Sequence, residues 1–194
     1  MTVLRLAGGL LVHSPIDIDP NLVSPLGPPR WVLAPNLFHH LYAGPWSDAG
    51  YDLWAAAGLD AKRPDLRIVG VPTSVDHPFG DDIALLPLSC FPMSNEVVVL
   101  HRPSRTLITT DLVFHFTAEA PWATRTAMRC LGGHPGCRTT LLERLGMKRE
   151  AARQDIGTLL TWDFDRLIMA HGEIIERGAR EKLREAFAWL GAVS

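Results

Sequence analysis

Four side chains in this sequence have the types and setting that metal chemistry uses: the adjacent imidazoles His39 and His40, the carboxylate Asp111 and the imidazole His171. Each follows an apolar run that reads as a strand: Trp31 to Ala34 before the two histidines, Thr106 to Thr110 before Asp111, and Phe164 to Ala170 before His171. Loops leaving strand ends in an open α/β architecture line a common crevice, so residues far apart in the chain can meet there. Two or three imidazoles with a carboxylate are nitrogen and oxygen donors of intermediate hardness, suited to Zn(II) or Fe(II). Taken singly, each residue has a plainer reading. Adjacent histidines diverge on a helix and often decorate its start. Asp111 can turn the chain by bonding local backbone, and His171 before Gly172 can be a loop imidazole without a partner. Their shared place at strand ends sets them apart.

The elements that must position these groups are short and punctuated by Pro and Gly. Val3 to Leu6 and Leu10 to His13, separated by Ala7-Gly8-Gly9, read as an opening β-hairpin. After a loop from Ser14 to Arg30 comes the Trp31 strand, halted by Pro35-Asn36. Leu37 to Trp46 has near-helical spacing, and Tyr51 to Ala56 reads as a strand. This alternation favours a parallel or mixed sheet covered by helices. Ile83 to Leu88 is a further strand, and Glu96 to Leu100 pairs with Thr106 to Thr110 across Arg102-Pro103-Ser104-Arg105 as two central strands. Ala120 to Leu131, Thr139 to Leu145 and Lys148 to Leu160 read as helices covering one sheet face, and Ala179 to Leu190 as an amphipathic terminal helix.

The hairpin supplies a geometric test. Reflecting Asp111 about the turn midpoint between Pro103 and Ser104 places it opposite Glu96, with Asn95 beside it. Either can add a ligand or orient one; an edge ion pair or a cap is the equal alternative. His101 lies five residues nearer the turn, roughly 17 Å away at ~3.3 Å per residue, and is excluded as a ligand. Arg102 and Arg105 flank the same remote turn as surface charges. Cys130, His134 and Cys137 form a competing cluster, but three ligands do not close a structural zinc site, and a flexible loop between helices is the better reading. No Walker loop, G-x-G-x-x-G or G-x-S-x-G occurs, and Ser104 has no base near it in sequence.

With 194 residues and 47% hydrophobic content the chain can bury an ordinary core, read as a single domain over 1–194. Its net charge of −2 leaves no electrostatic footprint for nucleic acid. No apolar run approaches the ~20 residues that span a bilayer, and three cysteines without a disulfide pattern fit a reducing cytoplasm. The six tryptophans read as core or pocket wall. Leu183, Phe187, Trp189 and Leu190 make an apolar stripe on the terminal helix that packs on the sheet. Trp46, Trp122 and the loop of residues 20–29 offer a surface on which two chains could pair as a homodimer.

The order of these segments resembles the metallo-β-lactamase superfamily of metal-dependent hydrolases over nearly the whole chain. The opening hairpin, Thr110-Asp111-Leu112 and Ile168-Met169-Ala170-His171-Gly172 are similar to that superfamily's first hairpin, its Gly-Asp bridging-carboxylate segment and its Gly-His-Gly segment. Its H-x-H-x-D-H motif maps onto Pro35 to His40, with His40 at the final histidine, His39 in place of the aspartate, and Pro35 and Leu37 in place of the first two histidines. The histidine expected before the Glu96 strand is also absent, since that stretch reads Phe91-Pro92-Met93-Ser94-Asn95. The combination Pro-Asn-x-x-His-His, Asn-Glu and His-Arg-Pro-Ser-Arg-Thr-Leu more closely resembles a domain-of-unknown-function branch that carries no known substrate.

The resemblance implies an αββα sandwich of two mixed sheets flanked by helices. It also implies a single-metal site of His40, Asp111 and His171, with His39 as a further ligand and Asn95 and Glu96 beside it. Zinc is the expected ion, with iron or manganese as alternatives. The implied activity is hydrolysis of an ester, thioester, lactone or phosphoester, with His40, Asp111 and His171 catalytic and a small molecule as the partner. A non-catalytic metal- or ligand-binding protein on the same fold is the alternative, because a two-metal clamp cannot form from the ligands that remain.

Overall fold

In a computed structural model that describes residues 1–191, the chain opens with the expected hairpin of β1 (Thr2–Leu6) and β2 (Gly9–His13). It continues through β3 (Pro29–Ala34), α1 (Ala43–Asp48), β4 (Asp52–Ala55), α2 (Leu59–Lys62) and β5 (Ile68–Gly70). These strands form one mixed sheet in order β1-β2-β3-β4-β5, antiparallel between β1 and β2 and parallel elsewhere. Next come β6 (Ile83–Pro87), β7 (Val97–His101), β8 (Thr106–Ile108), β9 (Phe114–Phe116), α3 (Trp122–Cys130), β10 (Gly136–Arg138), α4 (Leu141–Gly146) and α5 (Arg149–Thr161). The chain ends with β11 (Arg166–Ile168) and α6 (Ala179–Ala186). The second mixed sheet has the order β11-β8-β7-β6, with β7 and β8 at its centre and β11 parallel to β8, while β9 and β10 pair separately.

Period-two alternation builds the layers. Leu4, Leu6, Leu11, Trp31 and Leu33 from the first sheet meet Ile83, Leu85, Val97, Val99 and Ile108 from the second in one buried cluster. The intervening residues Leu10, Val12, Val32 and Ala34 face outward onto Ala43 and Trp46 of α1 and Leu59 of α2. On the far side, Val98, Leu100, Leu107 and Leu167 pack against Ile156 and Leu159 of α5 and Leu183 of α6. The result is the αββα sandwich expected, and β2, buried along its whole length, reads as the continuous apolar run that two covered faces require.

Several local expectations change. The helix expected over Leu37 to Trp46 is confined to Ala43–Asp48, because the preceding residues turn around the Asn36 side chain. Helices α3 and α4 bury none of their residues, so α5 and α6 alone cover the second sheet. Trp122 is 74% exposed, whereas Trp46 is fully buried with its indole N–H donating to the Ile16 carbonyl at 3.2 Å, which removes it from the surface offered for pairing. The segment read as a flexible loop contains β10, with Cys137 opposite His115. No helix among the described residues is long and apolar enough to cross a membrane.

Candidate metal centre

Three of the four residues singled out at strand ends converge. In the second sheet Ile108 of β8 pairs in parallel with Ile168 of β11, so Asp111 and His171, each three residues further on, leave the same edge side by side. The ligand atoms of His39, Asp111 and His171 all lie within 4.8 Å of one another. His171 Nε2 is 3.0 Å and His39 Nε2 3.3 Å from Asp111 Oδ1, and the two rings meet edge-on with centroids 5.3 Å apart.

Each of the three is held from behind. The Asn36 side-chain carbonyl accepts the backbone N–H groups of Phe38 (2.8 Å) and His39 (2.6 Å), a local turn that Asn forms readily. The same side chain donates to Asp111 Oδ2 at 2.6 Å and to Thr110 Oγ1 at 2.9 Å. Ser14 Oγ lies 2.9 Å from His39 Nδ1. A proton on Nδ1, accepted by Ser14, would leave Nε2 free as a ligand, the orienting role that partners of metal-bound histidines play. The His171 ring stacks on Phe114 at 5.5 Å. Gly172 follows with φ +108, and a Cβ there would come within 2.1 Å of the His115 carbonyl oxygen, so only glycine lets this loop pass beside β9.

Electrostatics follow from these contacts. Burial opposes ionisation of Asp111, but hydrogen bonds from His171, His39 and Asn36 together hold its carboxyl well below the usual range. The Asp111 carboxylate in turn raises the His171 imidazole. Glu96 is buried and pushed up to about 7 by desolvation and by the nearby Asp111 charge. Its two oxygens accept the backbone N–H groups of Thr110 (2.5 Å) and Asp111 (2.9 Å), which clamps the turn that presents Asp111.

The hairpin register is the one anticipated: Val99 faces Ile108 and His101 faces Thr106, which carries Asp111 opposite Glu96. Glu96 thus orients the carboxylate through its backbone. Asn95 does not join it, since its side chain donates to the Ala57 carbonyl at 3.1 Å. His40, expected as the ligand beside Asp111 and His171, lies outside the group of three, and His39 takes its place. Its Nδ1 sits 3.2 Å from Arg63 Nη1, and burial first, then Lys62 and Arg63, lowers its pKa. Neighbouring side chains diverge at the Asn36 turn, and the one turned toward Asp111 is that of His39. Asn36, Ser14 and Phe114 were not anticipated; of these only Asn36 carried a signal, an Asn just past a strand whose side chain can bond the next backbone groups.

Two remote clusters behave differently. His101 Nδ1 is 2.6 Å from Ser104 Oγ, so Ser104 does have a histidine beside it. The serine gives its one proton to Thr106 Oγ1 at 2.9 Å, leaving His101 to donate instead of acting as a base. Arg105 pairs with Asp163 at 2.6 Å. Cys130, His134 and Cys137 form no ligand group; the triad is the one such group among the described residues.

No family model matches the chain, and no curated protein matches it. Solved structures do. A metallo-β-lactamase from Hirschia baltica superposes with a TM-score of 0.65 at 11% identity, over 97% of this chain and 83% of that one. A metallo-β-lactamase from Pontibacter korlensis gives 0.63 at 12% identity, over 97% and 85%. A metal-soaked flavodiiron core from Synechocystis sp. PCC6803 gives 0.63 at 12% identity, over 97% of this chain and 51% of that one. The chain therefore has the metallo-β-lactamase fold.

Proposed function

We propose that the chain is a metal-dependent hydrolase working with one ion held by His39, Asp111 and His171. The observation that carries this reading is the meeting of two imidazole Nε2 atoms and one carboxylate oxygen within 4.8 Å at the sheet ends. The donor set fits a divalent ion: three protein ligands leave positions open, as in catalytic zinc sites and the two-histidine, one-carboxylate arrangement for iron. Zinc is the first choice, with iron or manganese as alternatives; the flavodiiron core among the similar structures is a reason to include iron. An ion there supplies a Lewis acid that polarises the scissile oxygen and acidifies water.

The chain's own residues do the positioning. Asn36 keeps Asp111 Oδ2, which leaves Oδ1 toward the two imidazoles. With an ion bound, Ser14 would accept the proton that His39 must then carry on Nδ1. Phe114 fixes the plane of the His171 ring at the mouth of the cleft, and Glu96 holds the backbone beneath Asp111. The substrate is a small ester, thioester, lactone or phosphoester. His40 has no part in this reading, its ring being turned to Arg63.

The test is metal analysis of protein purified without chelator, beside His39→Ala, Asp111→Ala and His171→Ala. It is paired with a screen of generic esters, thioesters, lactones and phosphodiesters under Zn(II), Mn(II) or Fe(II). Metal and turnover lost together in the variants support the reading, and equal metal content in all four proteins rejects it. Binding without turnover is the second reading, favoured by Pro35 and Leu37, which offer no ligand for a second ion.

A further inference from the structure

The triad borders a cleft of about 820 Å³ whose walls come from separate stretches of chain. Phe38 follows β3, Phe91 and Met93 lie between β6 and β7, Phe114 belongs to β9, and Leu142 and Leu145 to α4. Met93 is 65%, Leu142 62% and Leu145 84% exposed. Because α4 buries none of its residues, the apolar character of Leu142 and Leu145, one helical turn apart, contributes nothing to the core. Apolar walls around a few convergent polar groups are the usual make-up of a small-molecule site, and the volume falls within the usual range.

Charge narrows the occupant. The ionisable groups lining the cleft are Asp111, Glu143, His39 and His171; among the described residues no Lys or Arg lines it. Glu143 is engaged at the start of α4, where its carboxylate accepts the Thr140 backbone N–H at 3.0 Å and the Thr140 hydroxyl. The cations near Phe38 have partners of their own: Lys62 Nζ donates to the Leu37 carbonyl at 2.6 Å and lies over the Phe38 ring 5.4 Å from its centroid, and Arg63 pairs with Asp65 at 2.6 Å. At the triad the ion of the hydrolase reading would receive a phosphate or carboxylate; along the rest of the cleft such a group would meet apolar walls and the Glu143 carboxylate.

We propose that the cleft binds the hydrocarbon part of a neutral acyl compound, its carbonyl end toward His39, Asp111 and His171 and its chain along Phe38, Met93, Leu142 and Leu145. The inference rests on the hydrolase reading for what happens at the carbonyl. It narrows the substrate class to esters or lactones with an apolar acyl chain.

Calorimetric titration of the purified chain with butanamide, hexanamide and octanamide reads cleft binding without turnover. The Kd is expected to tighten roughly two- to fourfold per added methylene. Octanoate, the charged counterpart, is expected to bind metal-stripped protein at least about tenfold more weakly than octanamide does. Leu142→Glu and Leu145→Glu, each at an exposed position that leaves the thermal midpoint unchanged, weaken octanamide far more than butanamide. A Kd indifferent to chain length, octanoate binding metal-stripped protein as tightly as octanamide, or neither substitution having an effect overturns the proposal. In parallel, kcat/KM of the zinc-loaded protein rises from p-nitrophenyl butyrate to p-nitrophenyl octanoate. Chain-length-dependent binding with no ester turned over under any ion rejects the hydrolase reading and leaves the cleft assignment standing. Turnover indifferent to chain length rejects the cleft assignment and leaves the hydrolase reading standing.

Discussion

Two regions of this molecule concentrate metal-type ligands, and only one assembles them. Cys130, His134 and Cys137 lie within eight residues of sequence, yet Cys130 is exposed at the last residue of α3 while Cys137 is buried in β10. Burial pushes the Cys137 thiol up to about 12, and a neutral thiol is a poor ligand. Both ring nitrogens of His134 are buried with no protein partner. His39, Asp111 and His171 are distant in sequence and bring their donors within 4.8 Å. Density along the chain does not make a site. Parallel strands that end on one edge do, because each delivers the residues after it to the same place.

The sharpest way to break this comparison is to remove ligands from each region. Asp111→Ala or His171→Ala should lower metal affinity by more than about a hundredfold, while Cys137→Ala leaves bound metal unchanged. Metal content that follows the cysteine instead would reverse the comparison. Next in size is Glu96→Gln. The amide turns an NH2 toward one of two backbone N–H groups that now meet carboxylate oxygens, so the fold should lose about 1–3 kcal/mol and the site about ten- to a hundredfold in metal affinity. Urea unfolding with and without Zn(II) reads both, and a variant identical to wild type in both would remove Glu96 from the account.

A third test uses His13, an imidazole at the end of β2 that is enclosed instead of shared. Burial lowers its pKa from 6.5 to about 3. The unfolded chain therefore takes up a proton that the folded one refuses. Stability is unaffected above 6.5 and falls as pH drops from there toward 3, by about 1.4 kcal/mol per pH unit. Chemical denaturation of His13→Leu between pH 7 and 4 should show a flatter acid limb than wild type; parallel curves would refute it. The smallest effect belongs to the cysteine loop. Cys130→Ser should shift stability by no more than about 0.5 kcal/mol, and a thiol reagent should modify Cys130 quickly in the native protein while Cys90 and Cys137 stay protected. Rapid modification of Cys137 would mean that β10 opens.

Much of the scaffold was legible because it rests on short-range rules. The opening hairpin, the apolar run of Trp31 to Ala34 and the helix over Arg149–Thr161 follow from residue pattern and turn residues. The three-residue strands β5, β9 and β10 were not legible, whereas β8 and β11, equally short, were, because each lies within a longer run, Thr106 to Thr110 and Phe164 to Ala170. Tryptophan burial was only partly legible: Trp46 and Trp122 are chemically alike, yet one fills the outer layer of the first sheet and the other sits on a helix with no buried face.

For the site, the sequence by itself determined that donors of the right type stand at three strand ends, and that the turn at Pro103-Ser104 brings Glu96 opposite Asp111. A hairpin register is set by its own turn. The tertiary structure decided which of two adjacent histidines faces Asp111. That choice depends on Asn36 reaching at once to the backbone of its own turn and to Asp111, a residue 75 positions away. It also decided the cleft, because Phe38, Met93, Phe114 and Leu142 share a wall only once the two sheets have packed and carried their loops to one edge. Local order can be read from neighbours in sequence; side-chain direction on an irregular turn is set by partners that only the folded chain brings near.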